Sequence, residues 1–311
     1  MGCISWGLIG GLTLAGVVIS GLALYSAHVL TRRRVPDEPS SPTDYGLSYE
    51  KVAFSSRDGL ILRGWLIPSA SPRGTVIFCH GHSGSMDPDL KVVPAFHDKG
   101  YNVLMFDFRA HGRSDGYLVS LGSLEQQDLL GAVDLLRERG IERLGVLGFS
   151  MGGRVAISAA PQTDAIAAVV SDGGPVTILE AIAAGSRERG LPGILAVPIA
   201  WLTLWLAGRR VGCNLSDADA VRWAPSLAPR ALLLVHGERD PYVSTAAVRR
   251  LFAAAGGPKD VWIVPEAGHR EADKLRPDEY LERVIGFFDR YLAADMWREG
   301  DRGASGIERR C

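Results

Sequence analysis

From Tyr49 onward the chain alternates two kinds of apolar pattern. Short runs rich in Val, Ile, Leu and Phe predict eight strands: KVAFSS (51–56), LILRGWLI (60–67), TVIFCH (75–80), NVLMFDF (102–108), RLGVLGF (143–149), AIAAVVSD (165–172), RALLLVHG (230–237) and DVWIVPE (260–266). The first two alternate apolar and polar positions about Asp58–Gly59, which predicts a hairpin. The others are nearly continuous, as strands buried on both faces are. Between them apolar residues return at helical spacing. Leu124, Leu129, Ala132, Val133, Leu135 and Leu136 line one face of 121–139, MGGRVAISAA (151–160) opens another helix, and two more are expected near 243–255 and 276–292. Strands alternating with helices predict an α/β fold: a mostly parallel eight-stranded sheet with helices on both faces, binding its ligand just beyond the strands' carboxyl ends.

The flanks have other patterns. No Lys, Arg, Asp or Glu occurs from Cys3 to Leu30. As a helix this stretch measures roughly 40 Å against a hydrocarbon core of ~30 Å, so residues 1–34 are expected to form a single transmembrane anchor. No basic residue precedes the apolar run, unlike a cleaved signal. Arg32, Arg33 and Arg34 follow it and would hold the globular part on the cytoplasmic side. Residues 35–48, rich in Pro, Ser and Asp, read as a linker, and 294–311 as a flexible tail, leaving 49–293 as the folded domain. The stretch between Asp172 and Arg230 is long for a crossover, so a helical cap insert is expected over about 175–228. Its middle, LPGILAVPIAWLTLWLAG (191–208), carries no charge, and Pro192 and Pro198 interrupt it. It is expected either to bury an apolar inner face or to dip into the bilayer surface, the buried cap helix being the simpler reading.

Composition narrows the function classes. The 34 Lys and Arg balance 35 Asp and Glu, which argues against nucleic acid as a partner. Cys3, Cys79, Cys213 and Cys311 are scattered without zinc-ligand spacing.

The sequence contains G-x-S-x-G twice, as GFSMG around Ser150 and GRSDG around Ser114. Ser150 follows a strand and precedes a helix, the strand–turn–helix setting a nucleophilic serine needs. Gly148 and Gly152 provide small residues where that turn is tight. Ser114 is flanked by Arg113 and Asp115 and reads as a surface-loop residue. A nucleophilic serine requires a base, and the base an orienting acid. His269 lies in the loop after the last strand and Asp240 just past the strand before it, so both sit at the sheet's carboxyl edge with Ser150. The developing oxyanion needs donors, expected from the backbone N–H of Met151 and of His82 in HGHSGS, with Ser83 the alternative to His82. His80 and His82 side chains are expected to shape that loop. They would need a third ligand to bind zinc and none is suitably spaced, so neither metal nor cofactor is expected.

The segments HGHSG, DFRAHGRSDG, GFSMGG, HGERD and EAGH together resemble the α/β-hydrolase superfamily over residues 49–293. The likeness is to membrane-anchored bacterial esterase or lysophospholipase-like members, related in pattern to prolyl-oligopeptidase-like catalytic domains. The resemblance implies an α/β-hydrolase fold and hydrolysis of carboxylic esters, with thioester, peptide or acyl-transfer chemistry on the same triad, or a non-catalytic membrane scaffold, as alternatives. It also implies that Asp107–Ser114, matching D-x-R-G-H-G-x-S with Ala110 in place of glycine, supports the active-site loop. An apolar cap and a membrane anchor point to a lipophilic ester or lipid as substrate.

Overall fold

The computed structural model describes residues 2–292, so the stretch expected to be a flexible tail (294–311) lies outside them. Helix α1 (Gly2–Thr31) leads through a short turn into β1 (Glu50–Ser55) and β2 (Ile61–Ile67). Then come β3 (Gly74–Cys79), α2 (Val93–Asp98), β4 (Tyr101–Phe106), α3 (Glu125–Glu138), β5 (Leu144–Phe149), α4 (Met151–Ala159) and β6 (Ile166–Asp172). The insert holds α5 (Ile178–Glu188), α6 (Gly193–Val211) and α7 (Ala220–Trp223). The chain continues with β7 (Ala231–Gly237), α8 (Thr245–Ala254), β8 (Lys259–Val264), α9 (Ala272–Leu275) and α10 (Pro277–Leu292).

The eight strands form one sheet in the order β1-β2-β4-β3-β5-β6-β7-β8. Strand β2 is antiparallel to both β1 and β4, and every later pairing is parallel. Both faces are covered, which is why the central strands lack apolar–polar alternation. Along β3, Ile77 and Cys79 join a core with α3, α4 and α8, while Val76 and Phe78 join a second core with α2 and α10. The parallel strands end together, which sets the turns after β3, β5, β6, β7 and β8 along one edge.

The stretch expected to be a linker is laid along the domain. Arg34 N–H donates to Ala110 O at 2.9 Å, Ser85 N–H to Asp37 at 2.7 Å, and Ser40 N–H to Asp87 at 2.8 Å. Its polar residues, which suggested a solvated tether, are used for contact: Asp37 caps a loop N–H, and the Ser40 backbone is itself capped by Asp87.

In the cap, α6 packs against α5 and along α1. Its inner face is apolar, as expected, but the large aromatic side chains are not on it. The buried side of α6 consists of Ala196, Ile199, Ala200, Thr203 and Ala207, mostly small residues that let helices approach closely, and Trp201 and Trp205 are exposed. The cap is pinned from below by Arg154 of α4, fully buried, which donates to Leu121 O and Leu215 O and pairs with Asp219 at 2.9 Å.

Candidate active site

Ser150 occupies the turn between β5 and α4 at φ 50°, ψ −115°, a region that a residue with a Cβ enters only under strain. The neighbours explain why glycines flank it. A Cβ on Gly148 would lie 2.3 Å from Gly152 O, and a Cβ on Gly152 would lie 2.0 Å from Cys79 O. The start of α4 is thus pressed onto the end of β3. Gly152→Ala must push these backbones apart and is expected to destabilise the fold by ~3 kcal/mol or more, read as a lowered chemical-denaturation midpoint.

Three predicted side chains converge at this edge. His269 Nε2 lies 2.9 Å from Ser150 Oγ, and His269 Nδ1 lies 2.6 Å from Asp240 Oδ2. The Asp240 side chain is fully buried. Its Oδ1 accepts the N–H groups of Tyr242 and Val243 at 2.8 and 3.0 Å, which aims Oδ2 at the imidazole. That carboxylate accepts a hydrogen bond from Nδ1–H, which keeps the proton on Nδ1 and leaves Nε2 free to accept from the hydroxyl. Tyr242 stands edge-on to the His269 ring, with centroids 5.1 Å apart.

The other predicted residues surround this group. Met151 is the first residue of α4, so its N–H is among the donors a helix leaves without an internal partner. The loop carrying His82 lies against Ser150, since a Cβ on Gly81 would be 3.5 Å from Ser150 Cβ. The His82 imidazole turns away and donates from Nε2 to Leu30 O of α1 at 2.8 Å. Burial, and then the Arg34 charge, push its pKa down to about 4 and keep it neutral. His80 donates from Nδ1 to Gly81 O at 2.7 Å and accepts Phe108 N–H at Nε2 at 2.9 Å. The ring nitrogens of both histidines that make these bonds are therefore engaged within the protein.

Ser114 is not a surface residue. It is buried, donates to Asp107 O at 2.5 Å and accepts Arg63 N–H at 2.9 Å. Its polar neighbours suggested exposure, but they belong to an ion-paired cluster: Arg113 pairs with Asp87 at 2.7 Å, and Arg63 with Asp115 at 2.6 Å. Asp107 in turn accepts Met86 N–H and Arg113 N–H, each at 2.8 Å, which ties this segment to the loop after β3.

Sequence reasoning passed over Arg270 and Asp172. Arg270, at φ 56° next to His269, pairs with Asp89 at 2.5 Å and lies over the Phe149 ring at 4.2 Å. The only hint of this in the chain is adjacency to the histidine. Asp172, the last residue of β6, is buried near Arg270 with Tyr280 Oη 3.2 Å away. Burial raises its pKa to about 6, with the Arg270 charge opposing. An acid whose folded pKa lies above its unfolded value of ~3.9 loses stability as pH rises from about 4 to about 6, and the loss persists above that. Asp172→Asn is therefore expected to gain about 2–3 kcal/mol over the parent at pH 8 and nothing at pH 3.5, compared by denaturation at the two pH values.

The chain is similar to known proteins over most of its length. Residues 74–212 match a family model described as alpha/beta hydrolase fold. The uncharacterized protein YfhR of Salmonella typhi is 30% identical over 255 residues, covering 79% of this chain and 83% of the relative. YqkD of Bacillus subtilis is 28% identical over 284 residues, covering 88% and 92%. Among solved structures, the esterase Pf2001 of Pyrococcus furiosus superposes with a TM-score of 0.70 at 29% identity, covering 83% of this chain and 98% of the esterase.

Proposed function

This chain belongs to the α/β-hydrolase family, and on that premise we propose that it is a serine hydrolase of carboxylic esters acting through Ser150, His269 and Asp240. The observation that carries the proposal is the continuous relay Asp240–His269–Ser150, with contacts of 2.6 and 2.9 Å, ending on a serine held at positive φ. Likeness to the Pyrococcus furiosus esterase supports an ester as the substrate class.

The chemistry follows from the geometry. Ser150 Oγ attacks the ester carbonyl as its proton passes to His269 Nε2, and Asp240 stabilises the imidazolium. The N–H groups of Met151 and His82 receive the oxyanion. As the tetrahedral intermediate collapses, the C–O bond to the alcohol breaks and His269 returns its proton to the departing oxygen. Water, deprotonated by His269, then attacks the acyl-enzyme, releasing the carboxylic acid and restoring Ser150.

Helix α1 serves in this reading as a membrane anchor with the domain on the cytoplasmic side. Its uncharged length and the arginines at 32–34 support that assignment. An enzyme held at a bilayer meets lipophilic esters first. A p-nitrophenyl ester series from acetyl to palmitoyl, assayed in detergent with the full chain, tests the substrate class. The expected result is a kcat/KM that rises with acyl length. Turnover limited to short, polar esters would refute the lipophilic assignment.

A further inference from the structure

Helix α6 inverts the usual polarity of a surface helix, whose outward side should be polar. Its outward residues are Ile194, Val197, Trp201 and Trp205, exposed by 85, 50, 61 and 52%. Their spacing of three, four and four places them on one stripe of the 19-residue helix, opposite the small buried residues. Nothing charged interrupts the stretch from Leu191 to Gly208. Single exposed apolar residues are ordinary, whereas a contiguous stripe with two indoles marks a contact surface.

Three observations identify what covers it. First, α6 packs along α1, whose Leu14, Val17, Val18, Leu22, Leu24 and Tyr25 are also exposed, so the stripe continues the apolar surface of the anchor. Second, basic groups close the apolar stretch. Arg209 and Arg210 form the last turn of α6, both exposed and without a carboxylate partner among the described residues. Third, a groove of about 670 Å³ at this end has an amphiphilic lining that includes Trp201, Leu204 and Trp205 together with Arg209, Asn214 and Ser216. Tryptophan settles where acyl chains meet headgroups, and arginine pairs with anionic headgroups.

From these observations we infer that α6 is a second membrane contact: its Ile194–Trp205 stripe is immersed in the bilayer that receives α1, with Arg209 and Arg210 on anionic headgroups and the groove holding a lipid. The inference deepens the anchor reading and rests on it. The immersed face stands one layer from the catalytic base. Helix α5 packs on α6, a Cβ on its Gly185 would meet the Tyr242 ring at 3.6 Å, and Tyr242 abuts His269. Bilayer, cap and site therefore adjoin, and an ester arriving from the membrane has a short path to Ser150.

The test uses the full chain reconstituted in phosphatidylcholine–phosphatidylglycerol vesicles with brominated acyl chains. The protein has seven tryptophans, so the readout is wild-type emission minus that of the Trp201→Phe/Trp205→Phe double variant, which stays apolar. The expected difference spectrum is blue-shifted and quenched at least ~2-fold by the brominated lipid, as for indoles at acyl-chain depth. Chains that float with the vesicles but give an unquenched, red difference spectrum would overturn the inference and leave the anchor standing. Unquenched emission together with disulfide-linked dimers of a Trp205→Cys variant would overturn it in favour of a second copy on this face. Failure of the chain to float with vesicles would overturn the anchor reading and this inference together.

Discussion

Replacing Ser150 by alanine is expected to lower ester turnover by at least ~10⁴-fold and to abolish covalent labelling by a fluorophosphonate. The loss is large because the proposed reaction begins at this oxygen. Ser150 Oγ is the hydroxyl facing His269 Nε2 at 2.9 Å, and without it the imidazole has no nucleophile to activate. Oxyanion donors and substrate binding persist, so a residual rate over water remains and KM should change little. Ser114→Ala gives the matched control, since that serine also sits in a G-x-S-x-G. Its hydroxyl is committed to Asp107 O and Arg63 N–H, so the variant should keep labelling while losing some stability. Labelling that survives Ser150→Ala and disappears in Ser114→Ala would reverse the assignment.

The second large effect is expected at Asp240. Asp240→Asn should lower kcat by ~10⁴-fold while the protein remains folded. Asparagine is isosteric, and its carbonyl oxygen still accepts the Tyr242 and Val243 N–H groups that hold the carboxylate now. Its amide nitrogen then faces His269 Nδ1 and donates where the aspartate accepted. The imidazole must carry its proton on Nε2, which points a donor at Ser150 and removes the base. The rate of fluorophosphonate labelling should fall in proportion to kcat, because both reactions need the same activated oxygen. An Asp240→Asn protein with near-normal turnover would mean that another group orients His269. The buried His236, whose Nδ1 lies 4.0 Å from Asp240 Oδ2, would be the first to examine.

How much of this was legible in the chain depended on whether a role is local. Strand β5 lies within RLGVLGF and β7 within RALLLVHG because strands buried on both faces are written as continuous apolar runs. That Ser150, Asp240 and His269 come together was legible because each follows a strand, and a parallel sheet brings strand ends together wherever they fall in sequence. Roles that depend on distant partners were hidden. Nothing in the local composition shows that Arg270 reaches back to Asp89, that Tyr242 abuts His269, or that residues 35–48 cap the loop after β3. Ser114 misled for the same reason, since GRSDG has the composition of an exposed turn and its burial comes from paired charges around it. The outward tryptophans of α6 were ambiguous because an apolar helix does not state which of its sides meets protein.

The hydrogen bond from His82 to Leu30 O changes what it means to shorten this protein. The carbonyl that steadies the loop beside Ser150 belongs to the last turn of α1, and Arg34 just beyond it donates back to Val29 O. Removing α1 therefore also removes a hydrogen bond that holds the loop beside Ser150, so a chain trimmed to its globular part differs from the intact one at the candidate site itself. On the proposed hydrolase reading, a chain cut near residue 34 is expected to turn over an ester more slowly than the intact one even in detergent, because the loop beside Ser150 has lost that contact.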